Sequence, residues 1–407
     1  METASLDSSI VYGSDDIRAK NLRANDGTGR LIADYTRQGE LLPGGKLPSD
    51  GFCPEFHDSI CFKAGDSRVN QHTTLSIFHM LFMREHNRLA FSLKKLNPHW
   101  EEERLYQEAR RINIAQRQCE IYKEYLPVLL GPYNMNRFDL TLKNGPEGSK
   151  YNPTLRLGTW SEFTIAVYRL HSMVAKKIGF TSREFKNLYA NPTLIRTGQT
   201  NNLLIGVSQV PSASYDHYYA DDLTNYLYKK PGVPYGSDLC AIDMQRGRDH
   251  GLPAYVYLVS FCSGGQINIT SFDDIPPFVM SPENVDLLRQ NYKDVRDVDL
   301  WVGVQMEKHV PGAEISPTAA CIIGKQFHLA KFADRYFFEH VGEAPSFTPA
   351  QRNALKECSV SYLLCANTGI THIQRNAMLL PSSQNPIVSC SEIPYIDLNH
   401  WREIPQK

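Results

Sequence analysis

The chain has 407 residues, with 43 basic and 44 acidic side chains and a formal net charge of −1. This near-neutral balance excludes the strong positive field that nucleic-acid-binding domains use. Hydrophobic residues make up 42% of the chain and charged residues 21%, which is ordinary for a globular protein. No apolar run reaches the roughly 18 residues that a membrane-spanning helix needs, so the sequence predicts no span.

The first half of the chain predicts long helices. Apolar residues recur at helical spacing over Thr73–Leu93, and Pro98 ends that region. A second long helix is predicted over Glu101–Leu126, because its acidic start suits the helix dipole. The sequence LPVLLGP that follows indicates a stop, and 133–158 indicates a polar loop.

The second half predicts shorter helices separated by loops. A third amphipathic helix is predicted over Thr159–Ile178, and the Asn-, Gly-, Pro- and Tyr-rich stretch 191–237 predicts loops and short helices. A turn and then a helix are predicted over Ala241–Phe261. Further helices are predicted at Pro276–Tyr292, Pro317–His340 and Pro349–Cys358, with Asp334 and Arg335 exposed. Without repeats or an interdomain linker, the sequence predicts one mainly α domain over 1–407, with few or no strands.

Three segments hold residues that could do chemistry. The first, AGDSRVNQHTTLSIFHMLFMREHNRLA, places Arg68 in a turn before a long helix, where alone it would be a salt-bridged arginine beside Asp66. The second, WSEFTIAVYRLHSMVAKKIG, contains His171; a lone helical histidine is more often a core residue than a ligand. The third, DMQRGRDHG, begins at Asp243, which alone could simply cap a turn.

In this order, the three segments resemble the animal haem peroxidases of the peroxidase–cyclooxygenase superfamily, with an invertebrate peroxidase-like character. The resemblance implies a haem-peroxidase-like helical domain that binds haem b. It implies that Arg68 hydrogen-bonds peroxide and stabilises the charge that develops as the O–O bond breaks. His171 would be the proximal axial ligand of the iron. Asp243 replaces an asparagine that accepts a hydrogen bond from that imidazole, so it would strengthen donation to iron. Arg246 matches a propionate contact.

The N-terminal stretch ETASLDSSIVYGSDD resembles the calcium loop of the same family. Alternating oxygen-bearing side chains suit Ca²⁺, although such runs are often plain turns. The ligands that the resemblance implies are Thr3, the carbonyl of Ser5, Asp7 and Ser9. In the family, the distal histidine that carries the peroxide proton precedes this loop, so we interpret the chain as an N-terminally incomplete domain. An incomplete gene model, a short isoform and a natural loss are the three explanations. His72, four residues after Arg68, is considered as a substitute acid–base group.

The chain has nine cysteines, and their pairing indicates whether the protein resides in an oxidising compartment. Cys53 and Cys61 flank a short loop and suit a local disulfide, and the absence of CxxC pairs argues against zinc. The family resemblance adds the pairs Cys262–Cys321 and Cys365–Cys390. Three cysteines remain unassigned: Cys119, Cys240 and Cys358. Disulfides and the sequon at Asn268 favour an extracellular or secretory location, whereas METASLDSS lacks the features of a signal peptide.

The resemblance implies an oxidoreductase that reduces hydrogen peroxide and oxidises an organic donor or a halide, in oxidative-stress, host-defence or matrix chemistry. The alternative is a haem-binding protein with impaired or no turnover, because these residues lack the distal histidine. A third reading is a fatty-acid oxygenase, which needs a tyrosine near the proximal side. Tyr168, three residues before His171, is the candidate; family members more often carry an arginine there, and here Arg169 lies one residue later. The sequence does not specify an oligomeric state.

Overall fold

The computed structural model describes residues 3–45, 61–145, 147–179, 183–229 and 232–404, and helices dominate it. The α-helices of these residues are α1 (Ser9–Tyr12), α2 (Asp16–Leu22), α3 (Thr73–Leu96), α4 (Glu102–Glu120), α5 (Leu126–Arg137), α6 (Thr193–Arg196), α7 (Thr200–Gln209), α8 (Asp221–Thr224), α9 (Leu239–Asp249), α10 (Tyr255–Cys262), α11 (Pro282–Asn291), α12 (Leu300–Met306), α13 (Pro317–Phe332), α14 (Pro349–Leu355) and α15 (Val360–Asn367). Two antiparallel pairs of short strands complete the described elements: β1 (Asp34–Thr36) with β2 (Gly39–Leu41), and β3 (His372–Gln374) with β4 (Ile387–Ser389). The predicted mainly α fold with few strands is confirmed. Among the described helices, none combines the length and the hydrophobicity that crossing a bilayer requires.

The apolar side chains form two cores that share the long helix α3. The larger core joins the C-terminal part of α3 to α4, α5, α10, α12 and α13. The smaller core joins the N-terminal part of α3 to α1, α7 and α15. Because α3 is apolar along most of its length, it can bury one end in each core.

The prediction for α3 is confirmed, and its ends explain why. The side chain of His72 caps the first turn, since its Nδ1 accepts a hydrogen bond from the backbone N–H of Thr74 at 3.3 Å. Lys94 and Lys95 lie in the last turn, where positive charge suits the helix dipole.

The predicted stop after the second long helix is wrong. Helix α4 ends at Glu120, a π-helical turn follows over Ile121–Tyr125, and α5 then continues through LPVLLGP to Arg137. The break falls inside α5 at Gly131, whose φ is 71°. A Cβ there would lie 2.6 Å from the carbonyl oxygen of Gly312, so both the backbone angle and the close approach require glycine.

The predicted continuous helix over Thr159–Ile178 is also wrong. A π-helical turn covers Glu162–Val167, and a 3₁₀ turn covers His171–Met173. Tyr168 and Leu170 between them have ψ values of 33° and 32°, which are not helical. His171 therefore lies at the start of a short turn and not on a helix face.

Three further boundaries differ from the predictions. DMQRGRD lies within α9, so this region is helix, turn and helix instead of a turn and then a helix. Helix α11 begins six residues later than the predicted Pro276. Helix α13 ends at Phe332 and does not reach His340. Asp334, predicted to be exposed, is buried, and its Oδ1 accepts a hydrogen bond from the N–H of Tyr336 in the turn after α13.

Disulfides tie the helices together. Both pairs implied by the resemblance are formed, Cys262–Cys321 and Cys365–Cys390. A third disulfide joins Cys119 and Cys358, two of the cysteines that the sequence left unassigned. Cys61 is disulfide-bonded, whereas its expected partner Cys53 lies outside the described residues. In the described part of the chain, Cys240 is the unpaired cysteine.

Candidate functional site

The centre of the candidate site is a hydrogen bond between His171 and Asp243. Asp243 lies in α9 with no exposed surface, and its Oδ2 accepts from His171 Nδ1 at 2.9 Å. A carboxylate accepts only, so the proton stays on Nδ1 and the lone pair on Nε2. No other described residue hydrogen-bonds the imidazole of His171, whose side chain is 31% exposed. Its Nε2 is therefore available to coordinate a metal.

Arg169 approaches the same carboxylate from its other oxygen. The Nε of Arg169 lies 3.9 Å from Asp243 Oδ1, and neither atom has a hydrogen-bond partner among the described residues. Burial lowers the pKa of Arg169; Asp243 opposes this, and the positive charges of Arg246 and Arg68 add to it. Arg169 is thus a candidate site residue, and its sequence signal was its position two residues before His171.

Arg68 and Arg246 belong to the same electrostatic environment, although one precedes α3 and the other lies in α9. Besides acting on Arg169, both act on Tyr228: burial raises the pKa of Tyr228, while a hydrogen bond from Gln71 and the charges of the two arginines lower it. Arg68, Arg169 and Arg246 act on one another electrostatically, and the carboxylates paired with them among the described residues are two, Asp66 with Arg68 and Asp243 with Arg169, so positive charge is in excess. This charge, together with the lone pair of His171, fits an iron porphyrin with two propionates.

Arg68 also forms an ion pair with Asp66. The sequence predicts this contact when the segment is considered without the family resemblance. Arg68 Nη2 lies 2.6 Å from Asp66 Oδ2 and Nε 3.0 Å from Oδ1. Burial alone would raise the pKa of Asp66, but its hydrogen bonds from Arg68 hold it below the usual value. The Arg68 side chain remains 53% exposed, so the ion pair positions the guanidinium without enclosing it.

His72 is arranged as a structural residue. Its Nδ1 caps α3, its Nε2 lies 3.2 Å from the carbonyl oxygen of Phe185, and its ring stacks on that of Phe185 at 3.9 Å between centroids. Burial lowers the pKa of His72 to about 4. With both nitrogens engaged and the protonated form disfavoured, this geometry argues against His72 as a carrier of the peroxide proton.

The four residues of the expected calcium loop converge on the hydroxyl of Thr3. Thr3 Oγ1 donates to Asp7 Oδ1 at 2.7 Å and lies 3.4 Å from both the Ser5 carbonyl oxygen and Ser9 Oγ. Burial raises the pKa of Asp334, and Asp7 adds to the increase, so a second carboxylate stands near the loop that the sequence did not indicate. Over the described residues, no cluster of three or more His, Cys, Asp or Glu side chains could hold a metal.

Tyr168 connects the segment around His171 to the π-helical turn between α4 and α5. Its hydroxyl donates to the hydroxyl of Tyr125 at 3.0 Å, and its ring stacks on Phe163 at 4.6 Å between centroids. Burial raises the pKa of Tyr168 and that of Tyr125. The two tyrosines are therefore neutral and hydrogen-bonded to each other, and Tyr168 lies three residues before His171 in sequence.

Comparisons with known proteins agree with this geometry. Residues 1–378 match the family described as animal haem peroxidase. The chain is 35% identical over 414 residues to a Drosophila melanogaster peroxidase, covering 98% of this chain and 59% of that protein. It superimposes on peroxidase A from Dictyostelium discoideum with a TM-score of 0.76 and 28% identity, covering 90% of this chain and 69% of the other. An Arabidopsis thaliana fatty acid alpha-dioxygenase shares the fold alone, with a TM-score of 0.63 and 22% identity over 82% of this chain and 56% of the other. The chain spans about half of the length of the curated relatives it matches.

Proposed function

The chain belongs to the animal haem peroxidase family, and on that basis we propose that it binds haem b and reduces hydrogen peroxide while oxidising an organic donor or a halide. The observation that carries the proposal is the hydrogen bond from the half-buried His171 to the buried Asp243, with Arg169 beside it. Bound haem would supply the redox chemistry for the two-electron reduction of peroxide.

The chain's own residues have separate tasks in this proposal. Asp243 fixes the tautomer and orientation of His171, whose Nε2 holds the iron. Arg246 and Arg169 offer charged donors to the propionates. Arg68, oriented by Asp66, donates hydrogen bonds to peroxide and stabilises negative charge on its oxygens.

Haem reconstitution of the wild type and of His171→Ala tests this function. We expect the wild type to show a Soret band and peroxide-dependent guaiacol oxidation, and His171→Ala to lose both, because the ligand to iron is removed. His99→Ala is the control, because His99 is exposed and lies far from His171 in the sequence. This variant should retain both the Soret band and guaiacol oxidation. Failure of the wild type to take up haem would contradict the proposal.

A haem-binding protein with little or no turnover is the second candidate. It is favoured by the engagement of both nitrogens of His72, which leaves no proton carrier at that position beside Arg68. Missing a positioned acid–base group costs a factor of about 10²–10⁴ in rate. A Soret band that depends on His171, without guaiacol oxidation above that of free haem, would select this candidate over the first.

A fatty-acid oxygenase is the third candidate, favoured by the hydrogen-bonded pair of Tyr168 and Tyr125 near the proximal segment. A buried neutral tyrosine next to a redox centre can lose an electron and a proton, provided that a partner accepts the proton. Oxygen consumption with arachidonate that is lost in Tyr168→Phe would support this candidate. Retained guaiacol oxidation in the same variant would leave the peroxidase proposal intact.

We also propose that the loop from Thr3 to Ser9 binds Ca²⁺. The hydroxyl, carboxylate and carbonyl oxygens of this loop lie within hydrogen-bonding distance of one another, and they are the hard ligands that Ca²⁺ prefers. Mass spectrometry of the metal content should give calcium in the wild type and none in Asp7→Asn. Asp15→Asn is the control, because Asp15 caps the neighbouring helix α2 and asparagine caps equally well.

We also propose that the protein is located in the secretory pathway or outside the cell. It is supported by the three described disulfides and by the exposed side chain of Asn268 in the sequon. When the chain is expressed behind a secretion signal, endoglycosidase should shift the mobility of the wild type and leave Asn268→Gln unchanged.

A further inference from the structure

Tyr228 has a backbone conformation that a bulky side chain rarely adopts. Its φ is 52°, in the left-handed region, and no other aromatic residue in the described part of the chain has a positive φ. For a residue with a Cβ this conformation costs about 1–2 kcal/mol. Such strain persists only where surrounding contacts hold it, and it recurs at functional sites. The contacts of Tyr228 must therefore offset this cost.

Gln71 links Tyr228 to the arginine assigned to peroxide. Its Nε2 donates to the Tyr228 hydroxyl, and Gln71 lies three residues after Arg68. The carbonyl oxygen of Gln71 accepts from the backbone N–H of Ala190 at 3.2 Å, and Ala190 also has a left-handed φ, of 48°. The charges of Arg68 and Arg246 act on Tyr228. One glutamine thus fixes two strained positions beside the residues assigned to peroxide and haem.

Tyr189, the residue before Ala190, forms a ring pair with Tyr228. The centres of the two rings lie 5.4 Å apart with 61° between their planes, which is the geometry of an edge contact. Tyr189 is 9% exposed, and the ring of Phe185 packs against it at 5.3 Å between centroids. Its hydroxyl donates to the carbonyl oxygen of Asp222 at 3.2 Å. An aromatic path therefore leads from the arginines to a buried phenol.

Asp222 supplies a base beside that buried phenol. Its side chain has no exposed surface; Oδ2 accepts from the backbone N–H of Lys186 at 2.7 Å, while Oδ1 has no hydrogen-bond partner among the described residues. Burial raises the pKa of Tyr189, and Tyr228 and Asp222 add to the increase, so the phenol is neutral. A phenol that loses an electron becomes strongly acidic, and a carboxylate beside it can take the proton.

We propose that Tyr228 and Tyr189 form a redox relay, in which an oxidising equivalent produced at the haem is held as a neutral radical on Tyr189. This inference rests on the proposed peroxidase function. One electron leaves the Tyr189 phenol and passes through the Tyr228 ring to the oxidised haem, while the phenolic O–H bond breaks and its proton moves to the Asp222 carboxylate. A one-electron donor then returns the electron, and Asp222 returns the proton. The relay allows oxidation of a donor that is too large to reach the haem.

Electron paramagnetic resonance tests the relay on the haem-loaded protein, frozen after addition of hydrogen peroxide without a donor. We expect a tyrosyl radical in the wild type and its loss in Tyr189→Phe. Tyr122→Phe is the matched control and should keep the radical, because Tyr122 is also a buried tyrosine whose hydroxyl donates to a backbone carbonyl, that of Phe327. A signal that survives in Tyr189→Phe, or that is lost only in Tyr168→Phe, would overturn the relay.

Guaiacol oxidation by the same wild-type sample separates failure of the relay from failure of the proposed function. If guaiacol is oxidised and no tyrosyl radical forms, the relay alone is wrong. If the wild type takes up no haem or does not oxidise guaiacol, the proposed peroxidase function fails and the relay fails with it.

Two further variants separate the proton step from the electron step. Asp222→Asn should slow formation of the radical by a factor of about 10² or more in freeze-quench experiments, because the proton acceptor is removed. Tyr228→Leu removes the connecting ring, so oxidation of reduced cytochrome c, a donor too large to enter, should fall by a larger factor than oxidation of guaiacol. Equal losses with the two donors would overturn the relay. Far-UV circular dichroism checks folding; if Asp222→Asn does not fold, Tyr189→Phe and the donor comparison still decide.

Discussion

At the scale of single residues, the charge of Asp243 is the feature with the largest expected effect. This carboxylate has no exposed surface and accepts from His171 Nδ1, so water does not screen its interaction with the imidazole. A buried negative charge behind a metal-ligating histidine makes that histidine a stronger electron donor and stabilises the oxidised metal. Arg169, 3.9 Å away, moderates this effect but does not replace the hydrogen bond.

Asp243→Asn should therefore raise the reduction potential of the haem-loaded protein, because the amide keeps an acceptor for His171 and removes the charge. A tenfold change in the one-electron equilibrium corresponds to about 59 mV, and a shift of at least that order is expected. Spectroelectrochemical titration of the Soret band measures it. Asp238→Asn on the same helix is the control, since Asp238 only caps the first turn of α9. An unchanged or lower potential in Asp243→Asn would contradict this account.

Sequence motifs predicted several of these residues, and their contacts explain what was missed. His171 and Asp243 lie 72 positions apart, yet each sits in a segment whose local pattern is recognisable, so a meeting of the two could be expected. Arg169 could not be assigned, because its role depends on the non-helical backbone around Leu170 that turns it toward Asp243. Burial of Asp334 was also missed, since it follows from a turn after α13 that periodicity does not encode.

At the scale of elements, the predicted helices that were correct begin and end at local signals. Helix α3 has its cap at the residue before its start, whereas the predicted helices that were wrong contain π-helical turns or non-helical backbone angles. The π-helical turns at Ile121–Tyr125 and Glu162–Val167 keep an apolar pattern. The sequence pattern there therefore predicts ordinary α-helix. The non-helical angle at Gly131 accommodates Gly312, a neighbour far along the chain.

The cap of α3 gives a prediction that separates hydrogen bonding from titration. His72→Ala should lower the free energy of unfolding by about 1 kcal/mol at pH 7.5, because the first turn loses its cap. His72→Asn should keep the stability of the wild type at that pH, since asparagine accepts the same N–H. Urea denaturation measures both differences. Equal losses in the two variants would show that stacking on Phe185, and not the cap, is what the histidine contributes.

Both variants should respond to acid differently from the wild type, because neither retains the titrating imidazole of His72. The folded-state pKa of His72 is about 4, below its ordinary value of 6.5, so the unfolded chain takes up a proton first as pH falls. The wild type therefore loses stability from about pH 6.5 down to about pH 4, and this contribution is fully present above that window. At pH 5, the free energy of unfolding of His72→Asn should exceed that of the wild type by up to about 2 kcal/mol. If the difference in unfolding free energy between His72→Asn and the wild type is the same at pH 7.5 and at pH 5, the lowered pKa of His72 is contradicted.

At the scale of the whole molecule, the disulfides differ in the length of chain they close. The pair Cys119–Cys358 spans 239 residues and joins the end of α4 to the segment just before α15, within the larger core. The pair Cys365–Cys390 spans 25 residues beside the smaller core. Sequence could not assign the first pair, because nothing local relates two cysteines so far apart.

Removing the long-range disulfide should cost more than removing the short-range one. Chain entropy gives roughly 5.5 kcal/mol for the loop closed by Cys119–Cys358 and roughly 3.5 kcal/mol for that closed by Cys365–Cys390. Double alanine variants of each pair, made in a Cys240→Ser background to prevent thiol exchange, are compared by guanidinium denaturation. Both members of the first pair are completely buried, so the cavity left by alanine adds to its loss. An equal or larger loss on removing Cys365–Cys390 would mean that the link between α4 and the segment before α15 adds little to the stability of the larger core.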